Sequence, residues 1–174
     1  NDFPVLVNDI LGLSFRDDIT VAGAAANGKG YFGIGYTGRF FEYDAPTDTW
    51  TEKASYPVTD ERRMHTFGLA DKIYAGQYAY DPASNTWASV NFNFKLVSNP
   101  GVAVIGDKAY FVHEGKTKSY DPSNGKTEIV SPADRQVFTT MFPAPAAVTG
   151  NMAFFVPVEN DVNKRHYTYY YIVK

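Results

Sequence analysis

Short runs of alternating apolar and polar residues follow one another along the chain, each broken by Gly, Asn, Asp or Pro. Runs of about four to eight residues with this period read as β-strands. No stretch between them has the i, i+3, i+4 apolar spacing of a long helix. The first series predicts strands over Ile19–Ala25, Gly30–Gly35, Arg39–Tyr43 and Thr49–Lys53. Asn27-Gly28 between the first two predicts a type I′ hairpin turn, which needs positive φ at both central residues. Asp44-Ala45-Pro46-Thr47-Asp48 supplies the turn before the fourth strand, since Asp bonds its own backbone and Pro presets φ.

The same series then recurs. Its second copy predicts strands over His65–Ala70, Ile73–Gly76, Gln77–Tyr80 and Thr86–Val90, with a very tight hairpin between the second and third. The third copy covers Gly101–Ile105, Ala109–His113, Lys118–Tyr120 and Lys126–Val130; a worn fourth covers Ala146–Thr149, Met152–Pro157 and His166–Val173. One template links them: Lys29-Gly30-Tyr31, Lys72-Ile73-Tyr74 and Lys108-Ala109-Tyr110 in the second strands. Tyr43-Asp44, Tyr80-Asp81-Pro82 and Tyr120-Asp121-Pro122 follow at the third turns, with Thr49-Trp50 and Thr86-Trp87 in the fourth strands. Self-similarity of this length means stacked supersecondary units, none able to bury its apolar face alone. Four-stranded antiparallel meanders at this spacing predict an all-β fold of propeller blades.

The glycines of the second strands, the Tyr-Asp-Pro turns and the two tryptophans resemble Kelch repeats, as in the Kelch and galactose oxidase-like β-propellers. The likeness covers nearly the whole chain and is good for three copies. It departs from the pattern where the family pairs glycines after strand two: Gly33-Ile34-Gly35 in the first copy, a lone Gly76 in the second, none in the third. One propeller domain over residues 1–174 is expected, with blades at about 15–57, 58–96, 97–132 and 133–174. The resemblance implies a ring of six or seven blades of about 50 residues each, so the phase of the repeat predicts a piece of a longer propeller. The competing expectation is a small ring closed by residues 2–8 beside Tyr169–Val173. Either way, edge strands left open invite self-association or pairing with missing blades.

Composition narrows the function classes. A chain of 174 residues and 19.3 kDa can bury a core, and 13 Tyr with 13 Phe suit half-buried strands. A net charge of -3 gives no basic face for nucleic acid. No apolar run approaches the roughly 20 residues of a membrane helix. With no Cys, disulfides and thiolate chemistry are excluded, and so is the Cys-Tyr crosslink of galactose oxidase-like copper chemistry.

Candidate chemistry is sparse. His65, His113 and His166 have no neighbours at metal-ligand spacing, so neither a metal nor a cofactor is expected. His65 and His113 read better as strand-end residues bonded to loops. Ser14, Ser55, Ser89 and Ser98 lack the Gly-x-Ser-x-Gly elbow, and no catalytic residue is assigned. Asp44, Asp81 and Asp121 recur at one repeat position and are expected to be turn residues. Trp50 and Trp87 are expected to pack between neighbouring blades, and Lys29, Lys72 and Lys108 to be solvated. What remains is the long connections from each fourth strand to the next first strand, Ala54–Met64, Asn91–Pro100 and Ser131–Pro145. In the propellers this chain resembles, such connections lie on one face.

Arg62, Arg63, Phe92, Phe94, Arg135 and Phe138 lie on them, with His65 at the end of the first, and arginine beside aromatics suits a recognition surface. Phe92 and Phe94 also read as core residues of a strand extension alternating with Asn91 and Asn93. The expected function is non-catalytic binding of a protein, peptide or glycan. An alternative is a sugar-active enzyme with an axial pocket, like a sialic-acid mutarotase, with Arg62, Arg63 or Arg135 converging on a His or carboxylate. A third is a purely structural half of a larger propeller. The Asn-, Thr-, Asp- and Tyr-rich style resembles exported Kelch proteins of bacterial envelopes and implies a periplasmic or surface location.

Overall fold

The computed structural model describes residues 21–35, 37–58, 65–92, 101–113, 116–132, 146–150, 152–155 and 169–172. They form fifteen strands and, among the described residues, no helix. The chain divides into two compact units, Asn1–Val90 and Asn91–Lys174.

In the first unit, β1 (Val21–Ala26), β2 (Lys29–Ile34), β3 (Arg39–Asp44) and β4 (Thr49–Lys53) make one antiparallel sheet in sequence order. β5 (Thr66–Leu69), β6 (Lys72–Ala75), β7 (Tyr78–Asp81) and β8 (Thr86–Ser89) make a second of the same order. The second unit repeats the plan with β9 (Gly101–Ile105), β10 (Lys108–His113), β11 (Lys116–Asp121) and β12 (Lys126–Pro132). Its other sheet contains β13 (Ala146–Thr149), β14 (Met152–Phe155) and β15 (Tyr169–Ile172). Each expected strand has a counterpart, most ends falling within a residue or two of the expected ones; residues 19–20, 156–157, 166–168 and 173 of the expected strands lie outside the described residues. Lys29, Lys72 and Lys108, for example, pair with Ala26, Leu69 and Ile105 and so open their strands. β11 is longer than expected because Lys116 and Thr117 pair across to Pro132 and Ser131 around a bulge. Residues 2–8 lie outside the described residues.

The turns are the ones the sequence asks for. Asn27 and Gly28 both have positive φ (52° and 72°), as a type I′ turn requires. Ala70 and Asp71 repeat this pattern at the equivalent hairpin (48° and 62°). The tight hairpin of the second sheet is real: Ala75 pairs with Tyr78 around Gly76-Gln77, and Gly76 takes positive φ (53°).

Between the two sheets of the first unit lies an aromatic seam. Alternation places Tyr31 and Phe40 on one face of the first sheet and Ile73, Tyr80 and Trp87 on one face of the second. These faces meet: Phe40 lies 5.1 Å from Tyr80 and 5.0 Å from Trp87, and Tyr31 lies 5.8 Å from Tyr80, between ring centroids. Each such pair contributes about 0.5–1.5 kcal/mol beyond the area it buries. Trp87 Nε1 donates to the Ala54 carbonyl at 2.9 Å, so its polar end is satisfied within the seam. The first strands approach most closely: a Cβ on Gly68 of β5 would overlap the carbonyl oxygen of Ala25 in β1. Trp87 therefore packs between sheets as expected. Trp50 lies against Tyr43 of its own sheet, ring centroids 4.7 Å apart.

Candidate functional site

The two ends of each sheet are built differently, and the difference locates the candidate site. At one end lie the loops joining first to second strands, residues 27–28, 70–71, 106–107 and 150–151. Beside them lie those joining third to fourth strands, 45–48, 82–85 and 122–125. These loops keep their length from copy to copy. They also keep their chemistry. Asp81 Oδ1 accepts from the Ala83 amide and Asp121 Oδ1 from the Ser123 amide, each at 2.9 Å. Asp48, Asn85 and Gly125, at one repeat position, all take positive φ.

Across that end, Lys29 pairs with Asp44 at 3.3 Å, Lys72 with Asp81 at 3.2 Å and Lys108 with Asp121 at 3.5 Å. The aspartates are turn residues, as their recurrence implies. The lysines, expected to stand free in solvent, instead close the same ion pair three times. The Lys72 ammonium and then the turn amides hold the Asp81 carboxyl below its ordinary value. For Asp121 the Ser123 hydroxyl and amide lead, with Lys108 adding to them.

At the other end the spacing varies: between second and third strands, four residues separate Ile34 from Arg39, two separate Ala75 from Tyr78, two separate His113 from Lys116 and thirteen separate Phe155 from Tyr169, and the inter-sheet connections start here too. His65 ends the first connection. It is buried, 7% exposed, and its ring stacks on Phe67 with centroids 6.1 Å apart. Burial holds the imidazole down to about 4, a hydrogen bond with the Gly76 backbone opposing this. The side chain is neutral at physiological pH, and the strand-end reading fits it.

Phe92 is 1% exposed and packs edge-on against Phe111 and Tyr120, 5.7 and 4.8 Å away. Its place is in the apolar core of the second unit, where rings from β10 and β11 cover it; of its two readings the core one holds, and its assignment to an exposed recognition surface is corrected. Arg62, Arg63, Phe94, Arg135 and Phe138 lie outside the described residues, as does His166.

The sequence reading missed Glu42. On β3, 7% exposed, its carboxylate accepts from Tyr31 Oη at 2.7 Å and Lys29 Nζ at 2.9 Å, with Lys53 Nζ 3.3 Å away. Burial pushes its pKa up, but the bonds from Lys29, Tyr31 and Lys53 outweigh this and keep it below the ordinary carboxylate value. The same charge, after burial, helps push Tyr80 up to about 12. The equivalent partners of Tyr74 and Tyr110 are Ala79 and Ser119, so the repeat itself does not require an acid here. The signal was a charged residue at a strand position that the sister copies fill with small ones. This cluster is closed by its own ion pairs and acts as a structural lock on β2, β3 and β4. Among the described residues no group of three His, Asp or Glu could hold a metal ion. No helix among them is long and apolar enough to cross a membrane.

Antiparallel sheets of this size and strand order define the class: an all-β fold of β-propeller blades. No family model matches the chain, and no curated protein does. Among solved structures it is similar to that of YjhT, a β-propeller, with a TM-score of 0.58 at 13% identity. The match covers 84% of this chain and 60% of that one, so the chain spans less than two thirds of YjhT. At this identity the likeness is one of fold.

Proposed function

We propose that the chain is a non-catalytic binding module of Kelch-type blades, which presents the ends of its sheets that vary between copies to a protein, peptide or glycan. The observation that carries this reading is the asymmetry between the ends. In repeat architectures, differences between copies gather on the face that is free to bind, while the shared end serves the fold. Here the ion-paired turns recur in three sheets, while the separation of second strand from third runs from two residues (Ala75 to Tyr78, His113 to Lys116) through four (Ile34 to Arg39) to thirteen (Phe155 to Tyr169). The long connections carrying Arg62, Arg63, Phe94, Arg135 and Phe138 leave from that same end, and arginine beside aromatics suits a recognition surface.

Printed glycan and peptide arrays, screened in parallel with the purified chain, test the proposal. The expected result is a saturable ligand whose binding is weakened about tenfold or more by Arg62→Ala with Arg63→Ala. It is left unchanged by Lys72→Ala at the opposite end. A ligand lost with Lys72→Ala and indifferent to the arginines would overturn the reading, and so would turnover of an array sugar by the purified chain.

A further inference from the structure

The chain contains two Asn-Gly pairs, and lysine follows both: Asn27-Gly28-Lys29 and Asn124-Gly125-Lys126. The first is the hairpin turn between β1 and β2, and the second lies in the turn between β11 and β12. In most respects they are alike. Asn27, Gly28, Asn124 and Gly125 are all exposed. Gly28 and Gly125 take nearly the same positive φ, 72° and 68°, and a Cβ on either would meet nothing within 4 Å. Their hydrogen bonds differ. The Gly125 amide donates to the Asp121 carbonyl at 2.9 Å, and Asn124 Oδ1 accepts from the Lys126 amide at 2.8 Å. The first turn has neither bond. Among the described residues the Gly28 amide has no acceptor, and the Asn27 side chain makes one long contact, from Nδ2 to the Asp71 carbonyl at 3.4 Å.

We propose that Asn27 is a site of spontaneous deamidation, and that the hydrogen bonds of the other turn protect Asn124 from the same reaction. The Gly28 nitrogen gives up its proton to solvent base and attacks Asn27 Cγ, with no Cβ of its own in the way. The new C–N bond closes a five-membered succinimide as the Cγ–Nδ2 bond breaks, and ammonia leaves. Water then opens the ring at either carbonyl, giving aspartate or isoaspartate. One water is consumed and one ammonia released, and nothing is oxidised or reduced. At the second turn the equivalent nitrogen has its hydrogen committed to Asp121. The Asn124 carboxamide must also leave the Lys126 amide before its carbon can turn towards that nitrogen. Both bonds have to open first, and each slows the reaction according to its own stability. The product at Asn27 carries a carboxylate where an amide had donated to Asp71. Isoaspartate also adds a backbone methylene to a turn that spans two residues between Ala26 and its partner Lys29. The inference stands independently of the binding reading.

The test compares the two sites within one molecule. The purified full chain is kept at pH 7.5, folded or in guanidinium, and sampled over weeks. Mass spectrometry of the tryptic peptides ending at Lys29 and Lys126 follows conversion of amide to acid, and electron-transfer fragmentation identifies isoaspartate. Both sites read Asn-Gly-Lys, so the unfolded chain converts them at similar rates and serves as the reference. In the folded chain Asn27 is expected to convert about tenfold faster than Asn124, or more. Aspartate and isoaspartate both appear in the peptide ending at Lys29, and the conversion quickens as the pH rises. Guanidinium brings the ratio close to one by speeding Asn124. Equal rates in the folded chain, or faster conversion of Asn124, would overturn the proposal. So would a ratio that persists in guanidinium, since the cause would then be the flanking Ala26 and Ser123 and not the turns.

Discussion

A Cβ added to Gly28, in the turn at one end of the first sheet, meets nothing within 4 Å; one added to Gly33, at the opposite end, overlaps the carbonyl oxygen of Arg39. Both glycines have positive φ, 72° and 132°. At the first end a glycine is needed for its own backbone angle alone, and local turn chemistry decides the structure. At the second it is also needed because another strand passes against it. There the next residue, Ile34, is fully buried with φ at 76°, a conformation a β-branched side chain adopts only when its surroundings impose it. The contrast teaches that the repeated end follows a local rule, copied from sheet to sheet, whereas the other end is set by tertiary contacts peculiar to each copy.

The sharpest way to break this contrast is to substitute both glycines. Gly33→Ala is expected to cost about 3 kcal/mol or more, by adding overlap to backbone strain, while Gly28→Ala costs about 1 kcal/mol. Urea unfolding of the two variants measures both, and equal losses would mean that the two ends obey one rule.

Acid sharpens the contrast next, through His65. Its imidazole is held down to about 4 in the folded chain, against 6.5 when free. Between those values the unfolded chain binds a proton that the folded chain does not. The stability that His65 contributes is therefore fully present above pH 6.5, is lost as the pH drops through this window, and changes no further below about 4. The loss across the window is about 3 kcal/mol. His65→Gln should flatten that limb while leaving the carboxylate-driven loss at lower pH in place. Denaturant midpoints at pH 7.5 and pH 4.5 check it, and parallel acid losses in parent and variant would place His65 in water.

The smallest expected effect is at the repeated end. Lys108→Ala removes one partly exposed ion pair with Asp121, worth at most about 1 kcal/mol and weakened further by salt. A loss larger than that of Gly28→Ala would mean that these pairs hold the end together and do not merely decorate its turns.

Much of the fold was legible because it is local. Asn27-Gly28, the Asp-Pro turns and the period-two strands each encode their own backbone, and every copy repeats the message. Trp87 was legible too, since a large aromatic at a repeat position in a fourth strand is buried where a neighbouring sheet meets it, as Phe40 meets Trp87. The Lys-Asp pairs were within reach: lysine and aspartate each recur at one register position. Only the pairing of second strand with third shows that they end side by side.

Glu42 was not legible in the same way. Glutamate in a strand reads as a solvent-facing residue, and its burial here depends on Lys29, Tyr31 and Lys53 arriving from strands on either side. Phe92 read equally well as surface or core, because an aromatic beside asparagines carries no record of which face its neighbours will cover.

The most direct test of the central claim, that ligands meet the end of the sheets that differs between copies, is amide chemical-shift mapping with the strongest array ligand. The account predicts perturbations concentrated at Gly38, Tyr56, His65, Gly76 and Gln77, with Gly28, Thr47 and Ser84 silent. Perturbations centred on those turn residues, with the Gly38 to Gln77 group unmoved, would contradict it.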